Sequence, residues 1–322
     1  MKDRNLSIDL VKVIAMFMVM ALHIILCNLV PSSIFMSWNA GLSGIAIPLF
    51  FMVSGYLLCG KDGHFSYSVR KIKGILRFVF ITITLILLLN ILFHRDVSIH
   101  DGVRSYYAWF YQKGLLWQYW YFGAMIIIYA TLPYLLKVIH SKWLPWVILL
   151  LMAISFMMFL LNIFFDFERY HVRQTFRLWY WLMYFFVGAY MKLHGHVFRR
   201  IGWWHVLAVV AFMMVYVYYV EIPYDEYSFG SIICMIYAVT VFSACLNTRI
   251  RHGKVIRELS RLFLPVYAFH PFVISQMEGL APYLHFPKEI QYFVVLALVF
   301  VINISLTFVL MRIPYVKDIF RI

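Results

Sequence analysis

Residues 8–30 read IDLVKVIAMFMVMALHIILCNLV, and this first hydrophobic stretch decides the fold of the chain. Three polar residues in it, Asp9, Lys12 and His23, can carry charge. In an α-helix the step from Lys12 to His23 turns through about 1100°, which leaves the two within roughly 20° of each other and about 16 Å apart along the axis. Asp9, three residues before Lys12, shares their face. Charged groups in a membrane helix cost a few kcal/mol each, so the polar stripe formed by Asp9, Lys12 and His23 predicts a cavity or a partner beside it. The alternative is that His23 only packs against neighbouring helices.

The composition is that of an integral membrane protein. Hydrophobic residues make up 64% of the 322 residues and charged residues only 13%, about half of the charged fraction of soluble domains. The net charge of +14 is compatible with a nucleic-acid partner, but Lys and Arg held in cytoplasmic loops explain it without one. We therefore expect a lipid bilayer, and no nucleic acid, as a partner.

Ten apolar stretches approach the roughly 20 residues that a helix needs to cross a bilayer. They predict an all-α, polytopic membrane protein of about ten transmembrane helices, forming a single domain over residues 1–322. The stretches are residues 8–29, 41–59, 75–93, 119–136, 144–165, 176–191, 203–220, 229–246, 262–279 and 291–311.

The distribution of Lys and Arg predicts the orientation of these helices. Ten spans place both termini on one side of the membrane, and that side holds 20 of the 28 Lys and Arg. Apart from Lys12 in the first span, the others lie on the opposite side: Arg95, Arg104, Lys113, Arg169, Arg173, Arg177 and Lys288. Because positive residues concentrate in cytoplasmic loops, both termini are expected to be cytoplasmic.

Three loop segments have compositions that fit a ligand. Residues 60–74, which include Lys71 and Lys73, and residues 247–261 are cytoplasmic and basic in this topology. Either segment suits anionic lipid headgroups or a phosphorylated cofactor, and both interpretations stay open. Residues 94–118, on the outer side, mix Tyr, Trp, His and Arg, which is typical of carbohydrate contacts and equally of an interfacial aromatic belt.

Two further spans contain polar residues close to proline or glycine, which weaken a helix. Residues 45–58, IAIPLFFMVSGYLL, place Ser54 before a glycine that permits close approach of a helix or a ligand. Residues 265–272, PVYAFHPF, bracket His270 with prolines that free backbone carbonyls, an arrangement common around cavities. Tyr267 and His270 are three residues apart and share a face.

On the outer side, Trp120 and Arg177 are candidates for contact with a substrate. Trp120 opens the fourth span within an aromatic cluster, where anchoring at the membrane interface is the alternative role. Arg177 follows other basic residues on the outer side of the membrane, where Lys and Arg are usually scarce. It is therefore a candidate for binding a polar or anionic acceptor.

Five ordered stretches of the chain resemble the acyltransferase-3 family of membrane proteins. They are Ile8-Asp9-Leu10-Val11-Lys12 followed after ten residues by His23, Phe50-Phe51 with Ser54-Gly55-Tyr56, Tyr119-Trp120-Tyr121, Phe185-Phe186-Val187-Gly188, and Tyr267-Ala268-Phe269-His270-Pro271. The sequence differs from the family pattern twice: Lys12 stands where the family usually has arginine, and Gln118-Tyr119 replaces a His-Leu pair before Trp120. Lysine keeps the charge but lacks the planar fork of arginine.

The resemblance implies an O-acyltransferase that moves an acetyl group from cytoplasmic acetyl-CoA to a hydroxyl of a cell-surface polysaccharide or a lipid-linked glycan. It implies a multi-pass protein of the cytoplasmic membrane, in a bacterium, with acetyl-CoA as donor substrate and no permanently bound cofactor. His23 is then the general base, with a covalent acyl-histidine as an open variant, and Asp9 orients or neutralises Lys12.

The remaining predicted site residues divide between the two substrates. The donor is expected at Lys12, Ser54, Lys71 and Lys73, and the acceptor at Tyr267, His270, Trp120 and Arg177. No metal site is predicted, because no cluster of His, Cys, Asp or Glu has ligand spacing.

Two other classes of protein fit the polar stripe. In a glycan or lipid transporter, Asp9, Lys12, His23 and His270 would form a path for protons or substrate. In a scaffold of a glycan-assembly complex, none of them would be catalytic.

Overall fold

The computed structural model of the chain describes residues 5–25, 33–61, 63–93, 97–220, 228–278, 283–314 and 320. Within these ranges every regular element is a helix. The α-helices are α1 (Leu6–Ile25), α2 (Ser33–Ser43), α3 (Ala46–Leu58), α4 (Phe65–Leu92), α5 (Ile99–Ala108), α6 (Trp120–Ile139), α7 (Leu144–Phe165), α8 (Phe167–His171), α9 (Leu178–Leu193), α10 (Trp203–Val220), α11 (Ile232–Asn247), α12 (Lys254–Arg261), α13 (Phe263–Glu278) and α14 (Lys288–Leu310). Short 3₁₀ turns occupy Trp109–Tyr111, Trp117–Tyr119, Gln174–Phe176, Gly195–Phe198 and Ser228–Gly230.

The described residues contain six helical segments long and apolar enough to cross a membrane. They are Leu6–Ile24, Ile34–Leu58, Phe65–Leu92, Trp117–Ile139, Leu144–Phe165 and Lys288–Leu310. The expectation of an all-helical membrane protein is thus confirmed, whereas the count of ten spans and the cytoplasmic orientation stay predictions. Both chain ends, on which the orientation bears, lie outside the described residues.

Helix α1 lies at the centre of the helix packing. It contacts α2, α3, α11, α12, α13 and α14. Val11, Ala15 and Val19, spaced four residues apart on one face, are all fully buried. On the polar stripe, Asp9 is buried and Lys12 and His23 are half-buried, so the helices around α1 cover much of it.

The second predicted span, residues 41–59, is interrupted. Helix α2 ends at Ser43 and α3 begins at Ala46, with a turn at Gly44 and Ile45. Pro48 accounts for the position of the break, because it lacks the N–H that a continuous helix would direct to the carbonyl of Gly44. The stretch consequently forms two helices instead of one.

Helices α3 and α9 pack with their backbones in contact. A Cβ added to Gly55 would lie 1.8 Å from the carbonyl oxygen of Phe185, and one added to Gly188 would lie 2.0 Å from that of Met52. Next to this crossing, the ring of Phe51 stacks on Trp181 at 4.9 Å between centroids. Two of the stretches that carry the family resemblance thus form the two sides of one helix–helix contact.

We expect Gly55→Ala to destabilise the protein by about 1–3 kcal/mol, because a methyl group here forces the two backbones apart. The measurement is thermal unfolding of the purified protein in detergent, followed by tryptophan fluorescence. Gly195→Ala is the matched control, since nothing lies within 4 Å of a Cβ at that position. Equal stability of the two variants would show that the backbones of α3 and α9 do not touch.

Candidate functional site

Two histidines from distant parts of the chain meet near the end of α1. The ring centroids of His23 in α1 and His270 in α13 are 4.7 Å apart. His270 is fully buried, and His23 is half-buried. The ring of Trp117 lies 5.7 Å from that of His23. The structure thus joins two of the predicted site residues into one histidine pair.

Hydrogen bonds assign the tautomers of both rings. Nδ1 of His23 lies 2.7 Å from the carbonyl oxygen of Val19, and Nδ1 of His270 lies 2.8 Å from that of Tyr267. A carbonyl oxygen only accepts, so Nδ1 carries the proton in each neutral ring and Nε2 is the nitrogen that can accept one. Nε2 of His270 is buried and has no hydrogen-bond partner among the described residues.

Pro271 explains how His270 is held in place. In an unbroken helix the N–H of residue 271 would donate to the carbonyl of Tyr267, but proline has none. Nδ1 of His270 takes over this carbonyl. The neighbouring carbonyl of Val266 accepts a second donor, the side-chain amide of Asn303 in α14, at 3.1 Å. The proline thus creates the hydrogen bond that orients the imidazole.

Tyr267 joins α13 to the turn that precedes α6. Its hydroxyl donates to the carbonyl of Gln118 at 2.7 Å, while the hydroxyl of Tyr119 donates to the carbonyl of Ala268 at 3.3 Å. Because its proton is already donated to a carbonyl, Tyr267 in this arrangement positions its neighbours and does not donate to a ligand.

Asp9 lies at the other end of the polar stripe. Its side chain is buried, and the hydroxyl of Ser260 in α12 donates to its Oδ1 at 2.6 Å. This hydrogen bond ties the start of α1 to the basic helix α12. Asp9 therefore helps to set the position of both helices.

A cavity of about 500 Å³ opens beside Lys12. Four cationic side chains from different parts of the chain line it: Lys12, Lys61, Lys71 and Arg261. Ser54 also lines it, with its hydroxyl donating to the carbonyl of Phe50 at 2.9 Å. The wall is otherwise mainly apolar and aromatic, and includes Tyr67, Tyr121, Phe122, Tyr129 and Phe263. Cationic groups in an apolar cavity suit a ligand that has both phosphates and an apolar arm.

Aromatic side chains stand between this cavity and the histidine pair. The rings of Phe50 and Tyr121, which line the cavity, lie 6.2 and 5.8 Å from that of Tyr267. Tyr267 lies in turn 5.6 Å from the ring of His270. Helix α1 links the two regions directly, because it carries Lys12 at one and His23 at the other.

The two lysines of α4 that were predicted to bind the donor, Lys71 and Lys73, face different parts of the protein. Lys71 lines the cavity together with Lys12 and Ser54. Lys73 lines a separate groove on α4. The structure therefore brings three of the four predicted donor residues together and leaves Lys73 apart.

Arg177 belongs to a buried cluster at the start of α9. Its Nη1 lies 3.6 Å from Oε2 of Glu168, and its Nε donates to the carbonyl of Val172 at 3.1 Å. The carboxylate of Glu168 also accepts from Asn162 at 2.5 Å and from Trp179 at 3.0 Å. Burial raises the pKa of the Glu168 carboxyl, and the guanidinium of Arg177 opposes that rise. The predicted acceptor residue Arg177 is thus engaged with protein groups.

Trp120 is likewise buried. Its ring lies 5.0 Å from that of Trp181. The structure therefore places Trp120 beside the α3–α9 contact.

Sequence reasoning missed Trp117, Ser260, Lys61 and Arg261 as individual site residues. Lys61, Ser260 and Arg261 could have been found from their positions in the basic segments 60–74 and 247–261. Trp117 could have been found from its position near the end of the aromatic segment 94–118. Nothing in the sequence pairs Ser260 with Asp9, because the two are 251 residues apart. In the described ranges no three His, Cys, Asp or Glu side chains are arranged to hold a metal ion.

Comparison with protein-family models identifies a family that covers most of the chain. Residues 5–312 match the sequence model of the acyltransferase-3 family, described as an acyltransferase domain. No curated protein and no solved structure matches the chain. The matched range contains the polar stripe, the cavity residues other than Phe320, and the histidine pair.

We expect Arg177→Met to lower the stability of the protein by about 3–5 kcal/mol, because it leaves the Glu168 carboxylate buried without its cation. Thermal unfolding in detergent measures the effect, with the exposed Arg173→Met as the matched control. A variant that unfolds like the wild type would contradict this structural role of Arg177.

Proposed function

Because the chain belongs to the acyltransferase-3 family, we propose that this membrane protein is an O-acyltransferase that moves an acetyl group from acetyl-CoA to a hydroxyl of a cell-envelope glycan or its lipid-linked precursor. In this proposal the donor arrives from the cytoplasm, the acceptor lies outside or within the membrane, and the protein resides in the cytoplasmic membrane of a bacterium.

One observation carries the proposal: a cation-lined cavity and a histidine pair lie at the two ends of one helix. Lys12 faces the cavity, and His23 forms the pair with His270. The two positions on α1 are about 16 Å apart along the helix axis. A donor with phosphates at one end and a thioester at the end of a long arm fits such a separation.

The donor is held at its charged end by Lys12, Lys71, Lys61 and Arg261. Ammonium and guanidinium groups form charge-assisted hydrogen bonds to phosphate oxygens, and the apolar wall accepts the arm. Asp9, bound to Ser260, keeps the start of α1 against α12 and so holds Lys12 and Arg261 in position. Lys73 has no part in donor binding.

The chemical step belongs to the histidine pair. Nε2 of His23 accepts the proton of the acceptor hydroxyl as its oxygen attacks the thioester carbonyl. When the tetrahedral intermediate collapses, the carbon–sulfur bond breaks and the imidazolium of His23 returns the proton to the leaving thiolate. In this proposal His270, whose buried Nε2 can only accept, holds a second hydroxyl of the acceptor.

The acceptor approaches beside Trp117. An indole next to His23 offers a flat apolar surface against which a sugar ring can pack. Tyr267 positions His270 through its hydrogen bond to the turn before α6.

We expect His23→Ala to reduce acyl transfer by about 10²–10⁴-fold, since the reaction loses its general base. Membranes containing the protein are supplied with radiolabelled acetyl-CoA, and label on envelope polymers is measured. His100→Ala, at an exposed position, is the matched control and should retain full transfer. Equal labelling by His23→Ala and the wild type would exclude His23 as the base.

The same assay separates the enzyme from a transporter. A transporter that uses the polar stripe as a path would leave the polymer unlabelled in the wild type as well, while His23→Ala would block export of the glycan. A scaffold would show neither effect.

We expect Lys12→Gln to raise the KM for acetyl-CoA about 10- to 100-fold, because one charge-assisted hydrogen bond to the donor is lost. Lys12→Arg should restore binding, as the charge is kept. Steady-state kinetics at varied acetyl-CoA measure the change, and the exposed Lys137→Gln is the control. An unchanged KM in Lys12→Gln would place the donor elsewhere.

A further inference from the structure

Acyl transfer, as proposed above, needs a hydrogen-bond donor for a negative charge that forms during the reaction. As the acceptor oxygen attacks the thioester, an electron pair of the carbonyl double bond moves onto the carbonyl oxygen and makes it an oxyanion. Enzymes stabilise such a charge with N–H or O–H groups that the folded protein already holds in place. A donor without another hydrogen bond is therefore expected near the histidine pair.

Several donors near the site are already engaged. Nδ1 of His270 and the hydroxyl of Tyr267 each lie within hydrogen-bond distance of a backbone carbonyl to which they donate. The hydroxyls of Tyr119 and Ser54 also donate to backbone carbonyls. Each of these groups would have to break a hydrogen bond inside the protein before it could stabilise a new charge.

The side chain of Gln118 carries a donor that is not engaged. The residue is 1% exposed, and its Nε2 has no hydrogen-bond partner in the part of the chain that the structure describes. The nitrogen of a side-chain amide donates and does not accept, so this atom requires a partner with a lone pair. A buried donor without a partner is unfavourable for folding, and local conflicts of this kind are expected at functional sites.

The main chain places Gln118 next to residues that contact both histidines. Trp117, the residue before it, has its ring 5.7 Å from that of His23. The backbone carbonyl of Gln118 accepts from the hydroxyl of Tyr267, whose own backbone carbonyl accepts from Nδ1 of His270. The turn before α6 thus connects Gln118 with the histidine pair on two sides.

The helix that follows this turn favours a negative charge at its start. Helix α6 begins at Trp120, two residues after Gln118, and is 20 residues long. The N-terminal end of a helix carries a partial positive charge, which stabilises an anion placed there. The residue at the N-cap, Tyr119, makes no side-chain hydrogen bond that caps this end. The helix and the amide of Gln118 therefore favour the same kind of ligand atom.

We propose, on the basis of this acyl transfer, that the side-chain amide of Gln118 is the oxyanion donor of the reaction. Its Nε2–H binds the thioester carbonyl oxygen while the acceptor oxygen forms its bond to the carbonyl carbon. The hydrogen bond is strongest when the electron pair lies on that oxygen. When the carbon–oxygen double bond forms again, the carbon–sulfur bond breaks, and the proton held by His23 passes to the thiolate.

Gln118→Leu tests the proposal, because it removes the amide and keeps a side chain of similar size. Kinetics of label transfer from radiolabelled acetyl-CoA to envelope polymers give kcat and KM. We expect kcat to fall about 10²–10³-fold while KM for acetyl-CoA changes less than about twofold, since this hydrogen bond acts mainly in the transition state. Gln118→His retains an N–H donor and should recover about a tenth or more of the wild-type kcat.

Thermal unfolding in detergent gives a second measurement, which separates an oxyanion donor from a structural residue. Because leucine replaces an amide that lacks a partner, the Tm of Gln118→Leu should equal or exceed that of the wild type. Gln276→Leu is the matched control: its Nε2 is likewise buried and unpaired among the described residues. Gln276 lies about 120° from His270 around α13, so the control should retain full transfer.

Transfer by the wild type decides whether the protein is an acyltransferase, and the Gln118 variants decide whether this amide is the oxyanion donor. The role of Gln118 is overturned if Gln118→Leu keeps the wild-type kcat or has a lower Tm. It is also overturned if the variant changes KM alone, or if Gln276→Leu loses transfer equally. A wild type that transfers no label would exclude both the reaction and the donor.

Discussion

The structure depends on the packing of other helices around α1, because α1 carries polar groups that are costly to expose to lipid. Asp9, Lys12 and His23 make α1 costly to expose to hydrocarbon, so other helices have to cover it. Six helices do so, from α2 near the start of the chain to α14 near its end. Since the same helix also supplies a side chain to the cavity and one to the histidine pair, the packing that protects α1 is the packing that builds the site.

A second constraint acts on backbone hydrogen bonds. In a membrane every carbonyl has to find a donor within the protein. Pro271 removes one donor, and His270 replaces it. The hydroxyls of Tyr267 and Ser54 likewise donate their hydrogen bonds to backbone carbonyls. Nδ1 of each histidine also bonds a carbonyl, so a proton accepted by either ring has to go to Nε2.

The sequence was sufficient for the membrane class, the family and the polar stripe, because hydropathy, helical spacing and ordered motifs are local signals. It could not separate Lys71 from Lys73, since both belong to one basic segment and only the packing of α4 assigns their faces. Nor could it find the partner of Arg177, because Glu168 looks like one of several acidic loop residues until burial pairs them. The roles of these residues in catalysis stay predictions.

The contact of α3 with α9 limits how the molecule can move. With Gly55 and Gly188 set against opposing carbonyls, a slide of either helix by one residue would drive a side chain into the facing main chain. Helices α3 and α9 are therefore expected to move together. Any rearrangement of the helices around the histidine pair therefore has to leave this contact intact and to involve other elements.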